Sequence, residues 1–304
     1  RLLFNNPNPA ALLQAMANQQ QRPASQTIRR RNSTDLPPLS FAQKRLWFLD
    51  QLRPGNSTFN LPWLVRLQGD LNLPALQAAL DALLNRHESL RTRFAASGGD
   101  PLQLVMPTQS LPVTLHHCSG ADDARLETEL RELIAHPFDL QQGPLIRADL
   151  FQVAVDDHVL LLLMHHIVSD GWSMGVIYRE LSVLYAHYCE KTSMLPVLPE
   201  LAVQYADYAI WQREWLAGSE FPQQLSYWRK QLSGMPPLLS LAADYPRPAT
   251  QSYAGAWLNL ELPKILSEEL SVLAAKQGCS TFMLLLAAFK VLLARYAGSE
   301  DIVV

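Results

Sequence analysis

The chain has 304 residues, of which 48% are hydrophobic, and this is enough to build one large or two medium domains around a sizeable core. Its 25 basic and 28 acidic residues give a net charge of -3, so the sequence has neither a basic field for nucleic acid nor a charge block for a membrane surface. We therefore expect no nucleic-acid partner and no membrane partner.

The three cysteines are widely spaced and include no Cys-x-x-Cys pair. This spacing argues against both a disulfide framework and a zinc site, and it fits a reducing cytosol. The longest apolar runs, residues 159–163 and 282–289, are too short to span a bilayer, and residues 1–20 lack the apolar region of a signal peptide. These features predict a cytoplasmic protein.

The chain opens with two segments of different character. Asn-Pro punctuation followed by Ala and Leu residues predicts a loop and a short helix over residues 1–17. Residues 18–36 begin with an unbroken run of side-chain amides, Asn18 to Gln21, and contain few apolar residues, so they predict a flexible linker. Within this linker, Arg29 to Arg31 favour a solvated tether over a nucleic-acid patch.

Hydrophobic periodicity predicts a mixture of strands and helices over the rest of the chain. The strands are predicted at residues 60–71, 102–106, 113–116, 145–155 and 159–165, the last two forming a hairpin. The helices are predicted at residues 73–86, 122–135, 173–188, 222–232, 266–277 and 281–297, the last of them buried. This mixture predicts an α/β fold, with one lobe ending near residue 212 and the next starting there.

One motif carries most of the functional information. The sequence Met164-His165-His166-Ile167-Val168-Ser169-Asp170-Gly171-Trp172-Ser173 places two histidines and an aspartate where an apolar strand ends. Five apolar residues lead into it, which is typical of a buried strand. Because successive side chains of a strand point to opposite faces, one histidine is expected to face a cleft and the other to face the core.

The pattern His-His-x-x-x-Asp-Gly in this motif resembles the signature of the condensation domains of nonribosomal peptide synthetases, which are relatives of chloramphenicol acetyltransferase. Three further stretches are similar to other core motifs of that family, namely Ser40-Phe41-Ala42-Gln43-Lys44-Arg45-Leu46-Trp47, Arg86-His87-Glu88-Ser89-Leu90-Arg91-Thr92-Arg93-Phe94 and Tyr205-Ala206-Asp207-Tyr208-Ala209-Ile210-Trp211. The four motifs stand in family order. The resemblance implies the two-lobed α/β fold of chloramphenicol acetyltransferase, with a second lobe that is incomplete in this chain.

The resemblance also implies an arrangement of domains. Residues 1–17 would be the C-terminal tail of a carrier protein, residues 18–36 the linker, residues 37–212 the N-terminal lobe and residues 213–304 the start of the C-terminal lobe. The implied reaction forms an amide between a donor peptidyl or acyl thioester and an acceptor aminoacyl thioester. The implied partners are the upstream and downstream carrier domains and a neighbouring adenylation domain. No cofactor is expected to bind directly, because the phosphopantetheine arms belong to the carriers.

By the same resemblance, His166 is the histidine that faces the tunnel where the thioester and the amine meet. It would accept a proton as a general base, or it would hold the amine by a hydrogen bond and stabilise the tetrahedral intermediate. The sequence leaves both roles open. His165 would face the core and support the turn.

Asp170 and Gly171 complete the expected site. A carboxylate close behind a buried strand usually pairs with a cation, so Asp170 is expected to form a structural salt bridge. The resemblance favours Arg91 as its partner, ahead of Arg86 and Arg147. Gly171 is expected to leave room for a pantetheine arm, or to be an ordinary turn glycine.

A metal site is the main alternative for the two histidines and Asp170. Adjacent histidines on a strand point apart, and the spacing is not His-Glu-x-x-His, so no metal is expected. The run His116-His117-Cys118 invites the same idea, but it lacks the apolar lead-in and favours a plain strand end.

Two other functions stay open at this point. One is a specialised relative that epimerises its substrate or forms an ester, although Gly171-Trp172-Ser173 favours condensation. The other is a non-catalytic docking module that recruits a partner enzyme. An intact His166 and Asp170 argue against docking alone, because a scaffold has no need of that pair.

Overall fold

A computed structural model describes residues 27–32, 36–97, 100–118, 123–190, 198–246, 248–249, 258 and 260–304. The predicted carrier tail and most of the predicted linker lie outside the described residues. The chain divides into two compact units, one up to Glu220 and one from Phe221. The predicted boundary at residue 212 falls inside the helix Tyr205–Ala217, and the units divide beyond that helix.

The first unit alternates helices and strands, as predicted. In chain order its elements are α1 (Phe41–Leu52), β1 (Asn60–Gln68), α2 (Leu73–Arg86), a short 3₁₀ helix (Glu88–Arg91), β2 (Thr92–Ser97), β3 (Asp100–Val105), β4 (Val113–His117), α3 (Asp123–Ala135), β5 (Ile146–Ala154), β6 (Asp157–His165), α4 (Gly171–Cys189) and α5 (Tyr205–Ala217).

A four-stranded mixed sheet forms the centre of this unit, in the order β1, β6, β5, β4. Strand β6 pairs antiparallel with both β1 and β5, which confirms the predicted hairpin, and β4 pairs parallel with β5. The register places Asn60, at the start of β1, opposite His165, at the end of β6. Strands β2 and β3 form a separate antiparallel pair.

Strand β6 is buried on both faces, which explains its nearly continuous run of apolar residues. Leu160, Leu162 and Met164 pack in a cluster with apolar side chains of α2 and α4. Leu161 and Leu163 point the other way, into a second cluster that contains Phe94 and Phe151 among others. A strand held from both sides fixes the position of the residues that follow it.

Strand β2 was not expected from the sequence. The stretch Arg86–Phe94 crosses the end of α2, the 3₁₀ helix and the beginning of β2, so no single period runs through it. Its buried Phe94 anchors β2 in the second core cluster. The backbone passes from α-helix to 3₁₀ helix to strand within nine residues, so hydrophobic periodicity does not predict the strand.

The linker prediction is wrong at Arg31. Its guanidinium is buried between Glu88 of the 3₁₀ helix and Asp207 of α5. Carboxylates from two distant parts of the chain neutralise this arginine, so it is not part of a solvated tether.

The second unit contains α6 (Glu220–Gln231, of which Glu220 closes the first unit), α7 (Lys264–Lys276) and α8 (Thr281–Ala297). The prediction that α8 is buried is wrong, since none of its residues is buried. An apolar composition favours burial of a helix, but burial also requires another element that packs against it. Among the described residues no single helix has the length and apolarity to cross a membrane, whereas α7 and α8 together, bent by 102° at their break, meet that test by length and composition.

Candidate active site

The two histidines lie at the point where β6 ends. The backbone N–H of His165 donates to the carbonyl of Leu145 at 3.1 Å, and that of His166 donates to the carbonyl of Phe59 at 2.8 Å. His165 is only 2% exposed, whereas His166 is exposed. The structure therefore places the two side chains in different environments, as the alternation of a strand predicts.

His165 supports the turn from inside the core. Its Nδ1 atom accepts a hydrogen bond from the backbone N–H of Ile167 at 3.1 Å, and its ring meets the rings of Phe59 and Phe138 edge-on. Burial, with a smaller contribution from the charge of His166, lowers the pKa of His165 from 6.5 to about 4. His165 is therefore neutral at physiological pH, with its proton on Nε2.

The ring of His166 is held in one tautomer by the backbone. Its Nδ1 atom lies 2.8 Å from the carbonyl oxygen of Ser169, which can only accept, so Nδ1 carries the hydrogen. In the neutral ring the second nitrogen, Nε2, is then a hydrogen-bond and proton acceptor. An exposed imidazole with a fixed acceptor nitrogen can bind an amine or take a proton from it.

Asp170 caps helix α4. Its Oδ1 atom accepts hydrogen bonds from the backbone N–H of Ser173 at 2.9 Å and from the Ser173 hydroxyl at 2.7 Å, while its own N–H donates to the same hydroxyl oxygen. These reciprocal bonds form a capping box. The bonds from the Ser173 side chain and backbone, together with the charge of His166, lower the pKa of Asp170.

The predicted salt bridge between Asp170 and Arg91 is not formed. Arg91 donates to the carbonyl of Met106 and lies 3.9 Å from Glu88. The physical reason is that the helix N-terminus already supplies Asp170 with donors, so the carboxylate needs no cation.

Arg86 and Arg147, the other two predicted partners of Asp170, also bind other groups. Arg86 forms an ion pair with Glu180 at 3.1 Å. Arg147 donates to the carbonyls of His136 and Pro137 and stacks over the ring of Phe138. None of the three predicted arginines pairs with Asp170.

Gly171 is the first residue of α4 and is exposed. A Cβ atom added here would meet no atom within 4 Å beyond its chain neighbours and the backbone of its own helix. The fold itself therefore does not require glycine at this position. The prediction that the free space serves a pantetheine arm stays a prediction.

A cleft of about 610 Å³, counting the space open to solvent, lies in front of His166. Its walls come from the turn after β6, from the start of α1, from Ser89 and from Tyr205. A second cleft of about 890 Å³ shares Ser89, Val168, Ser173 and Tyr205 with the first and reaches Trp172. The shared residues make the two clefts neighbours on the same side of the turn.

Gln43 and Tyr205 stand in two of the family-like motifs without a predicted role at the site, and both line the cleft. Buried Gln43 donates through Nε2 to the carbonyl of Ile167 at 3.4 Å, next to His166. The hydroxyls of Tyr205 and Ser40 lie 3.0 Å apart. A usable signal was present, because Ser40 and Gln43 have the spacing of a capping box and form one at the start of α1.

The described residues contain no group of three or more His, Cys, Asp or Glu side chains placed to hold a metal ion. His116, at the end of β4, binds Asp149 with 2.8 Å between Nε2 and Oδ1, and it stacks on Phe151. The buried Cys118 thiol lies 3.5 Å from Glu129, and burial together with this carboxylate raises the pKa of Cys118. These side chains have separate partners and do not converge on one point.

Comparison with known sequences places this site in a family context. The Condensation domain family model matches residues 33–304. Malpibaldin synthetase of Mortierella alpina is 40% identical over 308 residues, which cover 99% of this chain and 6% of that protein. Phosphinothricin tripeptide synthetase of Streptomyces viridochromogenes is 42% identical over 282 residues, which cover 91% of this chain and 26% of that protein. The chain thus spans a small part of these relatives.

Solved structures give the same picture for the fold. The X-domain from teicoplanin biosynthesis, recorded in a complex with OxyB, matches with a TM-score of 0.76 and 31% identity, over 91% of this chain and 60% of that one. The first condensation domain of the calcium-dependent antibiotic synthetase matches with a TM-score of 0.76 and 22% identity, over 88% of this chain and 63% of that one. At 22% identity, the similarity to the condensation domain of the calcium-dependent antibiotic synthetase shows a shared fold alone. The predicted α/β fold of the chloramphenicol acetyltransferase type is confirmed.

Proposed function

Because this chain belongs to the condensation domain family of nonribosomal peptide synthetases, we propose that it joins a peptidyl or acyl thioester to the amine of an aminoacyl thioester. Amide bond formation is the general function of the family. The observation that carries the proposal for this chain is the hydrogen bond from His166 Nδ1 to the Ser169 carbonyl, which leaves Nε2 as an acceptor on a ring that lines the cleft.

The reaction needs a group that accepts one proton from the amine or helps its transfer to sulfur. The amine attacks the thioester carbonyl, a C–N bond forms, the C–S bond breaks, and the amine proton ends on the released thiol. His166 accepts that proton through Nε2, or it holds the amine by a hydrogen bond while the proton moves to sulfur. Either role uses the same nitrogen and the same tautomer.

Neighbouring residues keep His166 in place. Neutral His165 fixes the turn from the core through Ile167, and Gln43 binds the carbonyl of the same residue. Asp170 ties the far end of the turn to α4. In this proposal Asp170 shapes the site through the helix cap rather than through a salt bridge.

We propose upstream and downstream carrier domains as the partners, and a neighbouring adenylation domain as the source of loaded acceptor. The family works within multidomain synthetases, and a solved four-domain nonribosomal peptide synthetase shares the fold of this chain with a TM-score of 0.73 and 23% identity. The neighbouring clefts of about 610 and 890 Å³ leave room for the two phosphopantetheine arms, which would bring thioesters to the ring of His166. A cytoplasmic location and the absence of nucleic-acid and membrane partners stay predictions.

A second candidate function is a docking module. The likeness to the X-domain that is recorded in a complex with OxyB favours it, at 31% identity. The held tautomer of His166 favours catalysis instead, since docking requires no oriented imidazole. Epimerisation and ester formation are further possibilities within the same fold.

The decisive experiment uses the intact synthetase with both carriers loaded. Mass spectrometry of the material released from the downstream carrier should show the donor joined through an amide to the acceptor. An ester, or an epimerised donor without transfer, would assign the chain to a specialised relative. Loaded carriers that never exchange material would support the docking module.

A further inference from the structure

Arg31 is clamped between two acidic residues that lie far away in the sequence. Its Nη2 atom lies 2.7 Å from Oε2 of Glu88, and its Nη1 atom lies 3.0 Å from Oδ1 of Asp207. The backbone N–H of Arg31 also donates to Oδ1 of Asp207 at 3.2 Å. One residue of the segment before α1 thus joins the 3₁₀ helix to α5.

The clamp is largely buried, and Asp207 is its fully buried member. The side chains of Arg31, Glu88 and Asp207 are 10%, 19% and 0% exposed. Desolvation lowers the pKa of Arg31, but the hydrogen bonds and charges of the two carboxylates outweigh it and the pKa is raised. The pair with Asp207 therefore differs from a solvent-screened surface ion pair, whose contribution is usually small.

Gln204 reinforces the same junction. Its backbone N–H donates to Oδ2 of Asp207 at 2.7 Å, and its side-chain oxygen accepts from the backbone N–H of Glu88 at 3.1 Å. Its side-chain nitrogen donates to the carbonyl of Arg86 at 3.0 Å. The 3₁₀ helix and α5 are held by a connected polar network in which Asp207 accepts three hydrogen bonds and the Glu88 carboxylate accepts one from Arg31.

This network lies directly behind the cleft wall. Glu88 precedes Ser89, and Asp207 is one half-turn from Tyr205 on the same helix. Ser89 and Tyr205 line both clefts in front of and beside His166. A displacement of either element would change the width of the passage at these two residues.

The neighbouring Arg30 offers a contrast. It forms an ion pair with Glu200 at 3.2 Å, but the two side chains are 61% and 85% exposed. A pair of this kind is screened by water and costs side-chain entropy. Arg30 is therefore the matched control for Arg31.

We propose that Arg31 is a positioning residue for condensation: it holds the 3₁₀ helix against α5 and so sets the cleft wall at Ser89 and Tyr205. The proposal rests on the function proposed above. Arginine suits the task because its planar fork binds two carboxylates at once, whereas lysine offers a single point charge. Arg31 is then part of the frame of the site.

Limited proteolysis of the intact synthetase tests the clamp independently of activity. Trypsin should cut after Arg31 slowly in the unaltered protein, with fragments identified by mass spectrometry. The double variant Glu88→Gln with Asp207→Asn should speed the cut after Arg31. Equal rates of this cut in the unaltered protein and in the double variant would overturn the clamp.

Single-turnover condensation with preloaded carriers tests the positioning role. A variant that only folds less well loses product amplitude, but its folded fraction keeps the same rate constant. Arg31→Gln should instead lower the rate constant by about tenfold or more, because small displacements in a site are costly. Arg31→Lys should recover part of the rate, and Arg30→Gln should leave it unchanged.

If Arg31→Gln does not fold, the double variant Arg31→Gln with Asp207→Asn keeps the proposal testable, since it removes the charge that Asp207 would leave unpaired, while Glu88 keeps Arg91 at 3.9 Å. Its rate constant should also fall below that of Arg30→Gln, because two amides cannot reproduce the fork. A rate constant equal to that of Arg30→Gln would overturn the positioning role. An unaltered synthetase that makes no amide would instead overturn the proposed function, while the trypsin result would still stand.

Discussion

Asp170 and Ser173 form a reciprocal cap at the start of α4, with the Asp170 carboxylate 2.9 Å from the Ser173 backbone nitrogen and 2.7 Å from its hydroxyl. This relationship assigns Asp170 a local role. The carboxylate satisfies donors at the positive end of the helix, in the turn that carries His166.

Replacing Asp170 with alanine should cost about 1 kcal/mol of unfolding free energy, the usual value for a lost cap. Asp170→Asn should cost less, because asparagine is an equally good capping residue. Urea unfolding of both variants would check this order. A loss several times larger for both would indicate a buried ion pair instead of a cap.

The effects of Asp170→Ala and Arg91→Ala on stability should be additive. The two residues have separate partners, with Arg91 bound to the Met106 carbonyl, and distant sites add to within about 0.5 kcal/mol. A double-mutant cycle measured by unfolding supplies the coupling energy. A coupling above about 1 kcal/mol would restore the salt bridge that the family resemblance implied.

His165 should make the stability depend on pH. Its pKa is about 4 in the folded chain and 6.5 in the unfolded chain, so the unfolded state takes up the proton first as the pH falls. The stabilisation that comes from neutral His165 is fully present above pH 6.5 and is lost as the pH falls toward 4. Between pH 7 and pH 5 the unfolding free energy should fall by about 2 kcal/mol from this group.

The control for that prediction is His165→Asn. The asparagine oxygen can accept the hydrogen bond from Ile167 that Nδ1 accepts now, but it does not titrate. Unfolding free energies of both proteins at pH 7 and pH 5 should therefore differ in slope. Equal slopes would show that His165 is not the group that responds to pH.

Much of the fold could be predicted because it depends on local pattern. The apolar run before His165 predicted a buried strand, and β6 is buried on both faces. The opposite environments of His165 and His166 also followed from the alternation of a strand. Such features depend on neighbours in sequence, which a single sequence displays.

The partners of charged side chains could not be predicted in the same way. Arg31 looked like one of three solvated arginines, yet its carboxylates come from positions 88 and 207. Asp170 looked like half of a salt bridge, yet its donors lie three residues away. Which partner wins depends on three-dimensional geometry, and helix capping competes with ion pairing for the same carboxylate.

The most direct test of the account is the single-turnover rate of His166→Ala in the intact synthetase with both carriers loaded. The rate constant should fall by about a hundred to ten thousand-fold, the usual range for a group that handles a proton. His117→Ala, which removes another exposed histidine at a strand end, should keep the rate of the unaltered protein. A His166→Ala variant that forms amide as fast as His117→Ala would contradict the assignment of His166 as the central residue of the site.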